Sequence, residues 1–117
     1  MGRIIKAFIN SLRGIKSTFI HEKAFRQEVY LSIILIPLTF YVDLPLLFKG
    51  YLFLSLLLVM LMEITNSAIE ATVDMVTQEY HELAKRAKDM GSAIVLIAII
   101  HLMIAWGFAI WIIYKPI

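Results

Sequence analysis

Residues 51–74 read YLFLSLLLVMLMEITNSAIEATVD, and the change of character at residue 63 decides the fold. From 51 to 62 no side chain is charged. Glu63, Asn66, Glu70 and Asp74 then follow at spacings of three, four and four. At about 100° per residue these four fall within a narrow arc of one helix, with Ser67 beside them. One face therefore carries every polar group that is costly in lipid. An ionisable side chain at membrane depth costs roughly 2.5 to 3.5 kcal/mol even on lenient insertion scales, so such residues mark a functional site by default. The stretch points to a membrane-spanning helix whose inner end carries chemistry.

The composition agrees. The 117 residues are 61% hydrophobic and 17% charged, with a mean hydropathy of +0.83. This suits a single integral-membrane domain over residues 1–117 with little water-soluble mass. The absence of cysteine excludes disulfides, thiolate catalysis and cysteine metal sites. The net charge of +2 matters less than its placement. Arg3, Lys6, Arg13, Lys16, Lys23 and Arg26 precede the first apolar run. Lys85, Arg86 and Lys88 lie between the second and third. By the positive-inside rule the N-terminus and the loop near 75–89 are cytoplasmic.

The pattern predicts an all-α membrane protein with transmembrane helices at about 22–42, 46–78 and 85–114. Asp43, Leu44 and Pro45 make the outer turn, and Lys49 and Gly50 mark the outer interface of the second span. Trp106, Trp111 and Tyr114 form an aromatic belt at the outer end of the third, where Lys115-Pro116 stops the helix. Three spans put the C-terminus outside. Ahead of them, Ile4, Ile5, Phe8, Ile9, Leu12, Ile15, Phe19 and Ile20 fall on one side of a helical wheel opposite Arg3, Lys6, Asn10, Arg13 and Ser17. This is an interfacial amphipathic helix over about 3–20. A cleaved signal peptide is not expected, because Asn10, Ser11, Arg13 and Lys16 interrupt any hydrophobic region and no small-residue cleavage site follows. Ser67, Ala68, Ala71, Gly91 and Ala93 are expected to let the second and third spans approach closely. His101, mid-span, is expected to pack or to hydrogen-bond between helices.

Three polar clusters share one depth: Glu22, Arg26 and Glu28 where the first span begins, Glu63 to Asp74 where the second leaves, and Lys88, Asp89 and Ser92 where the third enters. For Glu22 and Arg26 an ordinary i, i+4 ion pair is an alternative to function. Carboxylates, an amide and a lysine without His or Cys ligands suit a hard cation such as Mg²⁺ with a phosphate, rather than zinc. Phosphoryl transfer needs little beyond metal, positive charge and a base. Glu63, deeper than Glu70 by about 10 Å along a helix, is placed to meet a hydroxyl presented from lipid. Neither a Walker A motif nor a Gly-X-Gly-X-X-Gly loop occurs. No nucleic-acid partner is expected.

The blocks Glu22-Lys-Ala-Phe-Arg-Gln-Glu28, Glu63-Ile-Thr-Asn-Ser-Ala-Ile-Glu70, Glu79-Tyr-His-Glu-Leu83 and Arg86-Ala-Lys-Asp-Met-Gly-Ser-Ala93 resemble the prokaryotic diacylglycerol kinase family over almost the whole chain. The resemblance implies a homotrimeric bundle in the bacterial cytoplasmic (inner) membrane, with active sites shared between subunits. It implies transfer of the ATP γ-phosphate to diacylglycerol, giving phosphatidic acid. Carried onto matching positions, Glu63 resembles the catalytic base, and Glu22 and Glu70 the carboxylates for Mg²⁺. Asn66, Lys88 and Asp89 resemble the groups around the phosphates. Glu79, Tyr80 and His81 resemble a nucleotide-contacting loop, with Arg3 near the nucleotide. Asn10 stands on the same helix, where the family often has tyrosine. Phe25, Arg26, Gln27, Glu28 and Ser92 look like residues facing the lipid. Undecaprenol kinase is the related alternative. A small proton-coupled efflux protein using Glu63 is the alternative from another class, although it needs neither the interfacial cluster nor the amphipathic helix.

The amphipathic helix carries the first testable expectation. Replacing Phe8 and Leu12 with aspartate puts charge on the buried face and should release the helix from the interface, raising the apparent KM for diacylglycerol far more than that for ATP. Equal losses for both substrates in a micelle assay would remove lipid access from this helix's role.

Overall fold

The computed structural model describes residues 1–115; Pro116, expected to stop the last helix, lies outside them. Four helices make up the described chain, which contains no strand: α1 (Gly2–His21), α2 (Lys23–Tyr41), α3 (Leu46–Val76) and α4 (Glu82–Tyr114). Lys49 and Gly50 sit inside α3 without breaking it. α3 ends two residues before the expected boundary. α4 begins three residues earlier than expected, because the His81 side chain accepts the Leu83 N–H at 3.1 Å and caps the helix there. Two helices, α3 and α4, are long and apolar enough to cross a membrane. α2 opens with Lys23, Arg26, Gln27 and Glu28, which shorten its apolar part.

One extended residue, Glu22 at φ −114° and ψ 110°, separates α1 from α2. The turn is closed by Arg26, whose guanidinium donates to the carbonyls of Phe19 and Ile20 at 2.9 and 2.7 Å. These are among the last carbonyls of α1, left free by the end of the helix and forming the negative end of its dipole. The i, i+4 pair with Glu22 therefore does not form. Phe19 also packs edge-on against Tyr30, with ring centroids 5.9 Å apart. Beyond this junction α1 leaves the bundle. Helices packed 8–10 Å apart give a layer only about 20–30 Å across, so the 41 Å second dimension of a 58 × 41 × 21 Å molecule comes from α1. Its apolar face, Ile4, Ile5, Phe8, Ile9, Leu12 and Ile15, is exposed along its length, as an interfacial helix requires.

Among the described residues, α3 is the only helix that packs against all the others. Its buried residues Leu52, Ser55, Leu56, Val59 and Glu63 repeat at spacings of three or four, the period of a helix seam. α4 meets it with Gly91, Ala98, Ala105 and Ala109. Lipid gives helices no hydrophobic reason to associate, so close approach over small residues does the work. The stripe differs in part from expectation: Gly91 belongs to it, whereas Ala68, Ala71 and Ala93 are exposed and Ser67 is only half-buried. Trp106 also departs from the aromatic belt. It packs with Val42, Phe48 and Ile112 against Leu44, Leu52, Ala105 and Ala109, while Trp111 and Tyr114 remain exposed.

Tyr51 and His101 join α3 to α4. Their hydrogen bond, Tyr51 Oη to His101 Nε2, is 2.8 Å, and the rings meet edge-on with centroids 5.4 Å apart. Hydrogen bonds between membrane helices average about 0.6 kcal/mol and reach about 1.7. Tyr51→Phe should destabilise the fold by about 1 kcal/mol, and adding His101→Leu should cost little more. A double-mutant cycle read by thermal unfolding checks this; fully additive losses would show that the pair is not coupled.

Candidate active site

The polar arc of α3 divides among three neighbours. Glu63 is 9% exposed, in the seam with α2. Phe25 and Glu28 lie on the buried face of α2 in the same seam, and the Glu63 charge bears directly on Glu28. One carboxylate oxygen of Glu28, Oε1, is buried without a partner. Glu63 in turn feels the charges of Glu22 and Glu70. Four carboxylates from the α1–α2 hinge, α2 and α3 thus converge at one end of the bundle. Among the described residues none of the four has an ion-pair partner; the two ion pairs present are Lys85–Asp89 and Lys88–Asp74, both at 2.7 Å.

Asn66 faces α4. Its Nδ2 donates to Glu70 Oε1 at 3.2 Å. Its Oδ1 is buried and unpartnered, pressed against Gly91 so closely that a Cβ there would overlap it. Gly91 is therefore needed for the approach of a side chain, with ordinary helical backbone. One turn beyond Glu70, Asp74 takes Lys88 from α4, tying the two helices together where they leave the apolar region.

Two clefts flank this end of α3. One, of about 530 Å³, is lined by Thr18, His21, Glu22, Ser67, Glu70 and Asp74. The other, about 280 Å³, lies under the α3–α4 loop and is lined by Glu79, Tyr80, His81, Lys85, Lys88 and Asp89. The first presents carboxylates and the second mixes them with lysines. Within the described residues no group of three His, Asp or Glu is arranged as a metal cage. Glu22 and Glu70 on one cleft nevertheless fit Mg²⁺, which is commonly held by one or two carboxylates together with substrate phosphates and water.

The single chain thus gathers Glu22, Phe25, Glu28, Glu63 and Glu70 around the seam, with Asn66 on the α4 side of α3, and Glu79, Tyr80, His81, Lys88 and Asp89 around the loop. Arg26 sits at the hinge, bonded to α1. Arg3 and Asn10 line a separate groove on α1, and Gln27 and Ser92 are exposed. Asp74 and Lys85 are the residues whose ionic roles sequence reasoning missed. Lys85 and Asp89 are i, i+4 on one helix, a spacing that announces their pair. Asp74 and Lys88 meet only because the loop returns α4 alongside α3, and no local spacing carries that.

Comparison with known proteins gives a consistent answer. The sequence profile described as Prokaryotic diacylglycerol kinase matches residues 9–110. The chain is 48% identical over 109 residues to a diacylglycerol kinase of Escherichia coli, covering 93% of this chain and 89% of that one. It is 50% identical over 97 residues to the diacylglycerol kinase of Haemophilus influenzae, covering 83% and 82%. With that of Pseudomonas aeruginosa the identity is 43% over 105 residues, covering 90% and 85%.

The contact of Asn66 with Gly91 is testable without any substrate. Gly91→Ala forces Asn66 aside or α4 outward, and overpacking of this kind costs about 1–3 kcal/mol. Thermal stability should fall accordingly, and the side-chain amide resonance of Asn66 should shift as its bond to Glu70 breaks. An unchanged resonance would show that the helices yield instead.

Proposed function

The chain belongs to the prokaryotic diacylglycerol kinase family, and from that premise we propose that it phosphorylates diacylglycerol to phosphatidic acid at the cytoplasmic face of the bacterial inner membrane, using ATP and Mg²⁺. The observation that carries the reading is the set of four carboxylates without cation partners, centred on Glu63 at the inner end of a helix fit to cross a membrane. A phosphate-bearing co-substrate that brings its own divalent cation is the natural complement of such a centre. Undecaprenol kinase remains the alternative within the class, differing in the lipid alcohol.

In this reading Glu63 takes the proton of the lipid hydroxyl while that oxygen forms its bond to the γ-phosphorus. The bond from phosphorus to the bridging oxygen of ADP breaks, ADP departs, and Glu63 returns the proton to water. Glu22 and Glu70 would hold Mg²⁺, which neutralises phosphate oxygens when bound. Asn66 fixes Glu70 through its amide and borders the phosphates. Lys88 turns from Asp74 toward the transferring group, and Asp89 lies beside it. Glu79, Tyr80 and His81, together with Arg3 and Asn10, contact the nucleotide. Phe25, Arg26, Gln27, Glu28 and Ser92 face the lipid.

In the proposed topology α2 serves as a third span alongside α3 and α4, α1 lies in the inner interface, and the C-terminus is outside. The whole chain, 1–117, acts as one domain. Arg3, Asn10, Gln27 and Ser92 stand apart from the seam around Glu63 within one chain, which favours sites completed by neighbouring copies, as in the homotrimer that the family resemblance implies.

Two measurements test this reading. A mixed-micelle assay with ATP and Mg²⁺, offering diacylglycerol and undecaprenol side by side, should yield labelled phosphatidic acid predominantly; predominant labelling of undecaprenol would select the alternative. Glu63→Gln keeps shape and packing but cannot accept a proton. Its turnover should fall by at least about 10² while ATP binding survives. Near-normal turnover of the folded variant would remove Glu63 as the base.

A further inference from the structure

Ser32 is a buried polar side chain of the α2–α3 seam with no part in the mechanism above. It is 3% exposed, and its Oγ has no hydrogen-bond partner. The other buried hydroxyls bond within their own helices: Thr18 donates to the Gly14 carbonyl, Thr39 to that of Leu35, and Ser55 to that of Leu52. Back-bonding of this kind is the usual way for a hydroxyl to be satisfied in an apolar helix. Among the described buried hydroxyls Ser32 is the exception, and a donor left free in apolar surroundings is unfavourable unless something else takes it.

Its position indicates what does. Ser32 follows Glu28 by four residues on the same buried face of α2, so it lies one turn, about 6 Å, deeper toward the membrane centre. Glu28 Oε1 is also unpartnered. The two orphaned groups form a short polar ladder running from the level of Glu63 into the apolar region. Because Glu63 is only 9% exposed, a lipid hydroxyl can reach it only if α2 and α3 part. Arg26 and Tyr30 hold the start of α2 to α1, whereas further along Pro37 lacks the N–H of a regular helix, a local weak point in its hydrogen bonding. A glycerol diester with its free hydroxyl at Glu63 carries ester carbonyls a few bonds further along, toward its acyl chains. An alcohol on plain hydrocarbon has no acceptor there.

Resting on the lipid-kinase reading of Glu63, we propose that Ser32 donates its hydroxyl proton to an ester carbonyl of the lipid substrate and so makes the site selective for glycerol esters. The test compares two lipids with the same free hydroxyl, a diacylglycerol and its dialkyl ether analogue, in mixed micelles with ATP and Mg²⁺. The unmodified protein should favour the ester. Ser32→Ala should lower kcat/KM for the ester by about 3- to 10-fold, the worth of one net hydrogen bond, and leave the ether unchanged, so that the preference collapses. Ser32→Thr, which keeps the hydroxyl, should retain the preference. Equal losses for both lipids would make Ser32 a structural residue, and an ester-to-ether ratio unmoved by Ser32→Ala would equally overturn the inference. Phosphorylation of neither lipid by the unmodified protein would overturn the parent reading and this one together. Phosphorylation of both with a ratio indifferent to residue 32 would overturn this inference alone.

Discussion

A carboxylate removed from water without a cation beside it is the costliest arrangement in this molecule, and Glu63 and Glu28 hold it in common across the α2–α3 seam. Neither carboxylate has a cation within ion-pair distance, and both are more than nine-tenths buried. Such a centre persists only where the rest of the structure holds it together. The small-residue packing of α4 on α3, the Lys88–Asp74 pair and the Arg26 closure of the hinge all lie outside the seam. They fix the helices while leaving the carboxylates without cation partners.

This division of labour explains why cations near the site are already engaged. Arg26 satisfies the end of α1, Lys88 ties α4 to α3, and Lys85 holds Asp89 on its own helix. The lysine pairs are at least partly exposed, so they are worth little in stability and are free to exchange partners. The buried groups have no such freedom. The arrangement separates a buried, negatively charged floor from an adaptable rim, which suits a substrate that brings both phosphate and its own cation.

Much of the candidate site could be picked out in the sequence because a membrane makes polar groups expensive. Glu63, Asn66 and Glu70 stood out against lipid-compatible neighbours, and their common arc followed from helical spacing alone. The amphipathic α1 could be read from its wheel, and its apolar face from Ile4 to Ile15 is exposed in the single chain. Readings that depended on how helices meet fared differently. Arg26 lay at the right spacing for Glu22 yet turned to the carbonyls of α1, because the free carbonyls at a helix end compete with a carboxylate in water. Ala68, Ala71 and Ala93 had the right size for close packing but sit on faces that point outward, whereas Ala98 and Ala105 continue the seven-residue period from Gly91.

The sequence by itself determined an all-helical chain, the point at which its apolar runs give way to polar residues and the residue types gathered there, because hydropathy and helical periodicity are local properties. Which carboxylates face one another, which lysine is engaged with which aspartate, and which hydroxyl is left without a partner were decided only by the tertiary structure. Those relations depend on the rotation of each helix about its axis and on the return of α4 alongside α3. No spacing along a single helix encodes either.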